Sequence, residues 1–226
     1  MEISKDDIKE AAMATVKGAV SNIPIVGGLF AEYIGLAQGK IADKRIMQWM
    51  DMVEEKLQKL HDNFEELAND ELFYSCIQIA TTNAMRAYQT EKRQLFANAI
   101  YNTAQLDLDS DKKLLFLSLL DRNTLAGVKL LQYYSKNHYH KDDYIHGSGM
   151  ITTHTVGGTE YPTKSILQNN TEFKNDSDYV KTITAQLFGD GLISLVDFNT
   201  PESPERARRK RTTKLGDEFL AFITVE

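Results

Sequence analysis

Two stretches decide the fold of the C-terminal half, SDYVKTITAQLFGDGLISLV (177–196) and RTTKLGDEFLAFI (211–223). The first begins with apolar residues at helical spacing and reaches a glycine-rich turn around Gly191. The apolar, β-branched run 192–196 that follows predicts a strand. In the second stretch, Thr213 is placed to cap a closing helix whose apolar residues share one face. A helix, a strand and a closing helix are therefore predicted, and the basic segment before the closing helix is a candidate second strand.

Further upstream, Thr124 begins a helical pattern over 124–136, and residues 163–170 have room for one or two helical turns. This order resembles that of a winged helix-turn-helix, with residues 178–189 as the recognition helix and 192–212 as the wing. The resemblance covers 124–226 and rests on a GLI…T-x-LG-x-x-FL arrangement, formed by Gly191, Leu192, Ile193, Thr213, Leu215, Gly216, Phe219 and Leu220. The chain departs from the usual pattern in one place, because residues 137–162 form a longer insertion. Winged-helix modules bind protein partners as well as DNA, so the resemblance leaves the ligand open.

The N-terminal half has a different character. Residues 5–136 contain a single proline and read as about six helices without a convincing strand. The predicted fold is therefore mainly α, with a helical bundle over 1–123. A winged-helix-like α+β module with a small β-hairpin follows over 124–226.

A heptad pattern is visible within the predicted bundle. The apolar residues recur at alternating spacings of four and three along Ile46, Met50, Val53, Leu57, Leu60, Phe64 and Leu67. The favoured interpretation is an antiparallel helix pair inside the bundle. The alternative is an intermolecular coiled coil that makes a homodimer through the 46–67 helix.

Charge is distributed unevenly along the chain. The net charge is −6, yet residues 206–214 contain six basic side chains and no acid, while the remainder holds 20 basic and 32 acidic residues. Such asymmetry is typical of an electrostatic binding patch on an acidic body. The candidate nucleic-acid contacts are Thr184, Gln186, Arg206, Arg208, Arg209, Lys210 and Arg211.

In this hypothesis, the basic side chains hold phosphates while Thr184 and Gln186 read base edges. Asp176, Asp178 and Asp190 near the ends of the same helix would repel phosphate. A protein contact, or a solvated basic turn, is therefore the favoured alternative.

Two other segments have the residue types of a functional site. His138, His140, Asp142, Asp143 and His146 could supply ligands to a divalent metal. A polar tract just beyond a helix end explains the same residues, so we predict no resident metal.

The second segment is glycine-rich and covers 18–39. Its small residues would allow close helix packing within the bundle, or insertion into a membrane after a trigger. Close packing is the favoured interpretation.

Enzymatic chemistry is not indicated. The chain has no P-loop, G-x-S-x-G, H-E-x-x-H or dinucleotide-binding motif. Its one cysteine, Cys76, lies in an apolar helical segment and is predicted to be a buried, inert thiol. A single thiol and the lack of a long apolar run favour a cytoplasmic protein. We expect a non-catalytic protein without a cofactor.

The segment NIPIVGGLFAE (22–32), followed by Lys44 and Arg45, resembles bacterial proteins of the abortive-infection alpha type. That resemblance implies defence against phage. It also supplies the alternative function, an effector that acts on membranes or on a partner through residues 18–39.

Overall fold

The computed structural model describes residues 40–60, 64–67, 69–137, 161–173 and 175–225. These residues are mainly helical and divide into two compact units. The first unit comprises Met1–Arg122 and Ala221–Glu226, and the second comprises Asn123–Leu220. Four parts of the chain lie outside the described residues: the N-terminal segment 1–17, the glycine-rich segment 18–39, the candidate metal ligands between His138 and His146, and most of the insertion 137–162.

Five helices are described in the first unit. They are α1 (Lys40–Gln58), α2 (Phe64–Leu67), α3 (Glu71–Arg86), α4 (Thr90–Gln105) and α5 (Ser110–Arg122). Four of them, α1, α3, α4 and α5, pack together as a helical bundle. Helix α4 packs against α1, α3 and α5, and α3 also packs against α5. The start of α3 is capped by the Asp70 carboxylate, which accepts hydrogen bonds from the backbone N–H groups of Leu72 and Phe73.

The core of the first unit is built from large apolar side chains. Trp49, Phe73, Phe96 and Phe116 are fully buried or nearly so. The indole N–H of Trp49 donates to Thr81 Oγ1 at 3.3 Å, which satisfies a polar group inside this core. Arg93 is buried as well, and its guanidinium donates to two backbone carbonyls and two side chains.

The prediction of one continuous helix over 46–67 is wrong. Helix α1 ends at Gln58, and the amides of Lys59 and Leu60 bond back to carbonyls only three residues earlier, which closes the helix in a tight turn. The pattern could not reveal this break because Leu60 keeps the apolar spacing. Met50, Val53, Leu57 and Leu60 are all buried in this chain.

The second unit contains the helices α6 (Leu125–Tyr134), α7 (Pro162–Asn169), α8 (Ser177–Gly189), α9 (Pro204–Ala207) and α10 (Lys214–Ile223), whose last turn is counted with the first unit. A 3₁₀ turn covers Thr171–Phe173. Thr124 caps α6 through the Gly127 amide, and Asp176 caps α8 through the Tyr179 amide. The helices predicted for these segments are confirmed, including the closing one.

The predicted strand at 192–196 is reduced to an isolated antiparallel bridge between Ile193 and Thr212. The Ser194 amide donates to the Arg211 carbonyl at 2.8 Å, and the Thr213 amide donates to the Leu192 carbonyl at 3.0 Å. Within the part of the chain that the structure describes, no sheet is formed. A second strand across the basic segment is interrupted because Pro204 begins α9 and Ser203 Oγ accepts from the Arg206 amide.

Candidate functional site

The turn between α8 and α10 is built by the glycine and threonine residues that the sequence places there. Gly191 has φ of +73°, a left-handed conformation that glycine adopts without a steric penalty. Its carbonyl accepts a hydrogen bond from Thr213 Oγ1 at 2.7 Å, and Thr213 Oγ1 itself accepts from the Gly216 amide at 3.1 Å. Thr213 therefore joins the end of α8 to the beginning of α10.

Thr184 lies on the inner side of α8, whereas the predicted contact with a base edge requires an exposed side chain. Its side chain is buried and its hydroxyl forms a hydrogen bond of 3.0 Å with that of Tyr134. Burial raises the Tyr134 pKa, outweighing the opposing effect of this bond. Thr184 follows Ile183 and lies four residues after Val180, so it continues the buried stripe. The helical periodicity could have identified this position as internal.

Gln186 is half-buried and takes part in a polar network within the second unit. Its side-chain amide donates to Asn123 Oδ1 at 3.3 Å, and Asn123 in turn donates to the Asp190 carboxylate at 3.0 Å. Asn123 is almost fully buried, so this network holds the end of α8 beside the start of α6. Reading a base edge would require Gln186 to exchange this bond.

The exposed side of α8 has little positive charge. We define the α8 outer face as the exposed residues of this helix: Asp178, Tyr179, Thr182, Ala185, Phe188 and Gly189. The rings of Tyr179 and Phe188 remain 41% and 45% exposed. Lys181 beside this face is partly exposed and lies 4.0 Å from the Asp178 carboxylate. The face combines apolar area with an acid.

Two lysines of the basic segment form ion pairs with nearby acids. Lys210 Nζ lies 2.7 Å from Asp217, and Lys214 Nζ lies 3.7 Å from Glu218. Burial opposes ionisation of Asp217, but hydrogen bonds from Lys210 and Thr212 outweigh it and lower its pKa. The predicted cluster of cations is therefore partly engaged in pairs within the unit.

Arg211 is buried, in contrast to its predicted role at a phosphate-binding surface. Its guanidinium donates to Glu202 at 2.5 Å and to the Arg206 carbonyl at 3.0 Å, and its side chain is 1% exposed. The backbone of Arg211 is fixed on both sides, because its amide donates to the Tyr134 carbonyl and its carbonyl accepts from the Ser194 amide, each at 2.8 Å. Arg206 and Arg209 are exposed, and Arg208 is half-buried.

Three further features considered from the sequence are a metal site, a membrane-spanning helix and the thiol of Cys76. Within the described ranges, no group of three His, Cys, Asp or Glu residues is arranged to hold a metal ion. None of the helices described combines the length and the apolar character needed to cross a membrane. Cys76 is buried, as predicted.

No protein-family model, curated protein or solved structure matches the chain.

Proposed function

We propose that the chain is a non-catalytic regulatory or defence-associated protein whose winged-helix-like C-terminal unit binds a protein partner through the α8 outer face. The winged-helix assignment is supported by the order α6, α7, α8, the Ile193–Thr212 bridge and α10. It is also supported by the way Thr213 and Gly216 close the turn after α8.

The observation that carries the proposal is the composition of the α8 outer face. The α8 outer face contains no Lys or Arg, and Asp178 adds a negative charge at the helix start. Lys181 beside the face has a side chain that is 43% exposed, and its ammonium group lies 4.0 Å from the Asp178 carboxylate. Affinity for nucleic acid depends on cations that neutralise phosphates, so this helix would contribute little. Half-exposed aromatic rings such as Tyr179 and Phe188 are enriched at protein interfaces.

The proposal is tested by site-specific photocrosslinking in cells of the natural host. A photoreactive amino acid at Ala185, in the centre of the face, should give a discrete adduct with one protein. Phe188→Ala should weaken that adduct strongly, because truncating an aromatic anchor removes a large share of interface energy. The same probe at Gln132, an exposed position on α6, is the matched control. Equal labelling at Gln132, or an adduct insensitive to Phe188→Ala, would contradict the proposal.

Nucleic-acid binding through the basic segment is the second candidate, favoured by the exposure of Arg206 and Arg209. It predicts a complex with labelled duplex DNA that weakens steeply between ~50 and ~200 mM salt. The double variant Arg206→Gln with Arg209→Gln should then reduce the salt slope by about two, one for each lost phosphate contact. If wild type and double variant bind the duplex equally, the basic segment is not the contact.

The alternative of a membrane-active effector rests on residues 18–39, outside the described structure, and remains a prediction. Leakage of a dye from liposomes, lost in Gly28→Leu, would favour it over both proposals above.

A further inference from the structure

The second unit contains a surface cleft of about 370 Å³ between the beginning of α7 and the beginning of α8. Tyr161, Thr163 and Lys164 line it from the α7 side, while Ser177 and Lys181 line it from the α8 side. Phe198, from the segment after the bridge residue Ile193, also contributes to the wall. The volume falls at the lower end of the range of about 300–1,000 Å³ that is typical of small-molecule sites.

The charge of this cleft is positive. Lys164 and Lys181 both line it, and no carboxylate-bearing side chain belongs to its wall as the structure describes it. Asp178 pairs with Lys181 at a separation of 4.0 Å, but this carboxylate is 93% exposed. Such a pair contributes little in water, so a multivalent anion can compete for the Lys181 ammonium group.

Aromatic surface lies in the same cleft as the two ammonium groups. Tyr161 is 45% exposed, and Phe198 is partly exposed. Both therefore offer apolar area against which a planar ring can stack. Tyr161 is the residue immediately before α7, so it is placed beside the first-turn residues Thr163 and Lys164.

The walls also contain hydroxyl groups for hydrogen bonding. Ser177 is the first residue of α8 and is partly exposed. Thr163 is 7% exposed, and its buried Oγ1 has no hydrogen-bond partner among the described residues. A buried hydroxyl without a partner is costly, and a polar ligand can offset that cost.

From this combination we propose that the cleft binds a nucleoside monophosphate. Two lysines suit a phosphate monoester, which carries a charge of about −1.5 to −2 at neutral pH. The Tyr161 and Phe198 rings would stack on the base, and the hydroxyl groups would bond to phosphate or sugar. This inference concerns a different surface from the α8 outer face and does not depend on a protein partner.

The experiment is calorimetric titration of the full chain with the four common nucleoside monophosphates, with adenosine and with inorganic phosphate. At least one nucleotide should bind. Adenosine, which lacks the phosphate, and inorganic phosphate, which lacks the base and sugar, should each bind at least about tenfold more weakly. Lys164→Gln combined with Lys181→Gln should lower nucleotide affinity by about tenfold or more, because charge-assisted hydrogen bonds are the strong ones.

The matched control is Lys214→Gln, a lysine that is 88% exposed and does not line the cleft. It should leave the affinity unchanged, and all variants should retain the wild-type circular dichroism spectrum. Tyr161→Leu tests the aromatic contact separately, and it should weaken nucleotide binding without affecting the affinity for inorganic phosphate. The proposal is overturned if none of the nucleotides binds, if inorganic phosphate binds as tightly as the best nucleotide, or if the double lysine variant binds like wild type.

Discussion

The carbonyl oxygen of Leu192 occupies the space that a side chain at Gly216 would need. A Cβ atom added to Gly216 would overlap this oxygen and the carbon that bears it, and both belong to backbone held by the Thr213 amide. The close approach lets the first turn of α10 lie directly on the chain that leaves α8. Gly216 is thus required by packing, since its φ is not in the left-handed region.

We therefore predict that Gly216→Ala destabilises the second unit by about 1–3 kcal/mol or more, the usual range for overpacking. Faster hydrogen exchange of the α8 amides measures this effect locally. Gly189→Ala is the control, because an added Cβ there meets nothing within 4 Å and alanine favours the helix. Exchange that is equally slow in both variants would show that the backbone at Leu192 adjusts at little cost.

The buried pair of Arg211 and Glu202 gives the second prediction. Their side chains are only 1% and 14% exposed, so removing one partner leaves the other charged in a poorly solvated place. Arg211→Ala should cost about 3–5 kcal/mol, a range seen when one member of a buried ion pair is removed. Hydrogen exchange in α8 and α10 again provides the measurement.

The control for this prediction is the neighbouring pair of Lys210 and Asp217, whose side chains are 44% and 42% exposed. Lys210→Ala should cost about 0–1 kcal/mol, because exposed ion pairs are well screened. If Lys210→Ala and Arg211→Ala lose similar amounts of unfolding free energy, the burial of Arg211 does not strengthen the contribution of its ion pair to stability.

The sequence was sufficient for helices whose ends have clear caps and whose apolar faces are regular. Thr124 and Thr213 cap helices that begin where these residues predict. The apolar run at 192–196 was insufficient for a strand, because strand pairing depends on a distant partner. The partner segment contains Pro204 and Ser203, which favour the short helix α9 instead.

Site residues were harder to predict than helices, because the type of a residue does not determine whether its side chain is buried or exposed. Arg211 has the same side chain as Arg209, yet one is buried against Glu202 and the other is exposed. Only the fold places an acid beside one of them. The cleft had no sequence signal, since its lysines, rings and hydroxyls come from three separate segments.

Asn102 provides the third prediction, within the first unit. Its side-chain Nδ2 lies within 3.0 Å of three carbonyl oxygens, those of Ala221, Phe222 and Thr224, at the C-terminal end of α10. The bond to the Phe222 carbonyl is buried, and Asn102 itself is 6% exposed. The Ala221 carbonyl also accepts from the Thr224 amide at 3.4 Å. Asn102→Ala should cost about 1–3 kcal/mol, because it leaves the buried Phe222 carbonyl without this donor.

Urea unfolding followed by fluorescence of Trp49 is the measurement, since this buried residue is the chain's one tryptophan and reports on the first unit. Asn98→Ala is the control, because Asn98 donates to one carbonyl, that of Ile223, and is only half-buried. Its cost should be at most about 1 kcal/mol. Equal midpoints for wild type and Asn102→Ala would show that water replaces the lost bonds.

Cys76 gives a prediction with a definite pH dependence. Burial raises the pKa of its thiol, and this outweighs the hydrogen bond with Thr103 that acts in the opposite direction. The folded state therefore disfavours the thiolate, whereas an unfolded chain ionises near pH 8.5. The contribution of Cys76 to stability is fully present below that pH, and it is lost as the pH rises toward the folded-state pKa.

Cys76→Ala has no thiol to ionise, so its unfolding free energy provides the reference at each pH. The advantage of wild type over this variant, measured by Trp49 fluorescence in urea, should shrink steadily from about pH 8 to pH 10. Over the same range, the native thiol should react with a disulfide reagent at least ~100-fold more slowly than in denaturant, because reaction requires local opening. A wild-type advantage that stays constant with pH, together with rapid native reaction, would mean that the thiol is accessible and ionises without a penalty.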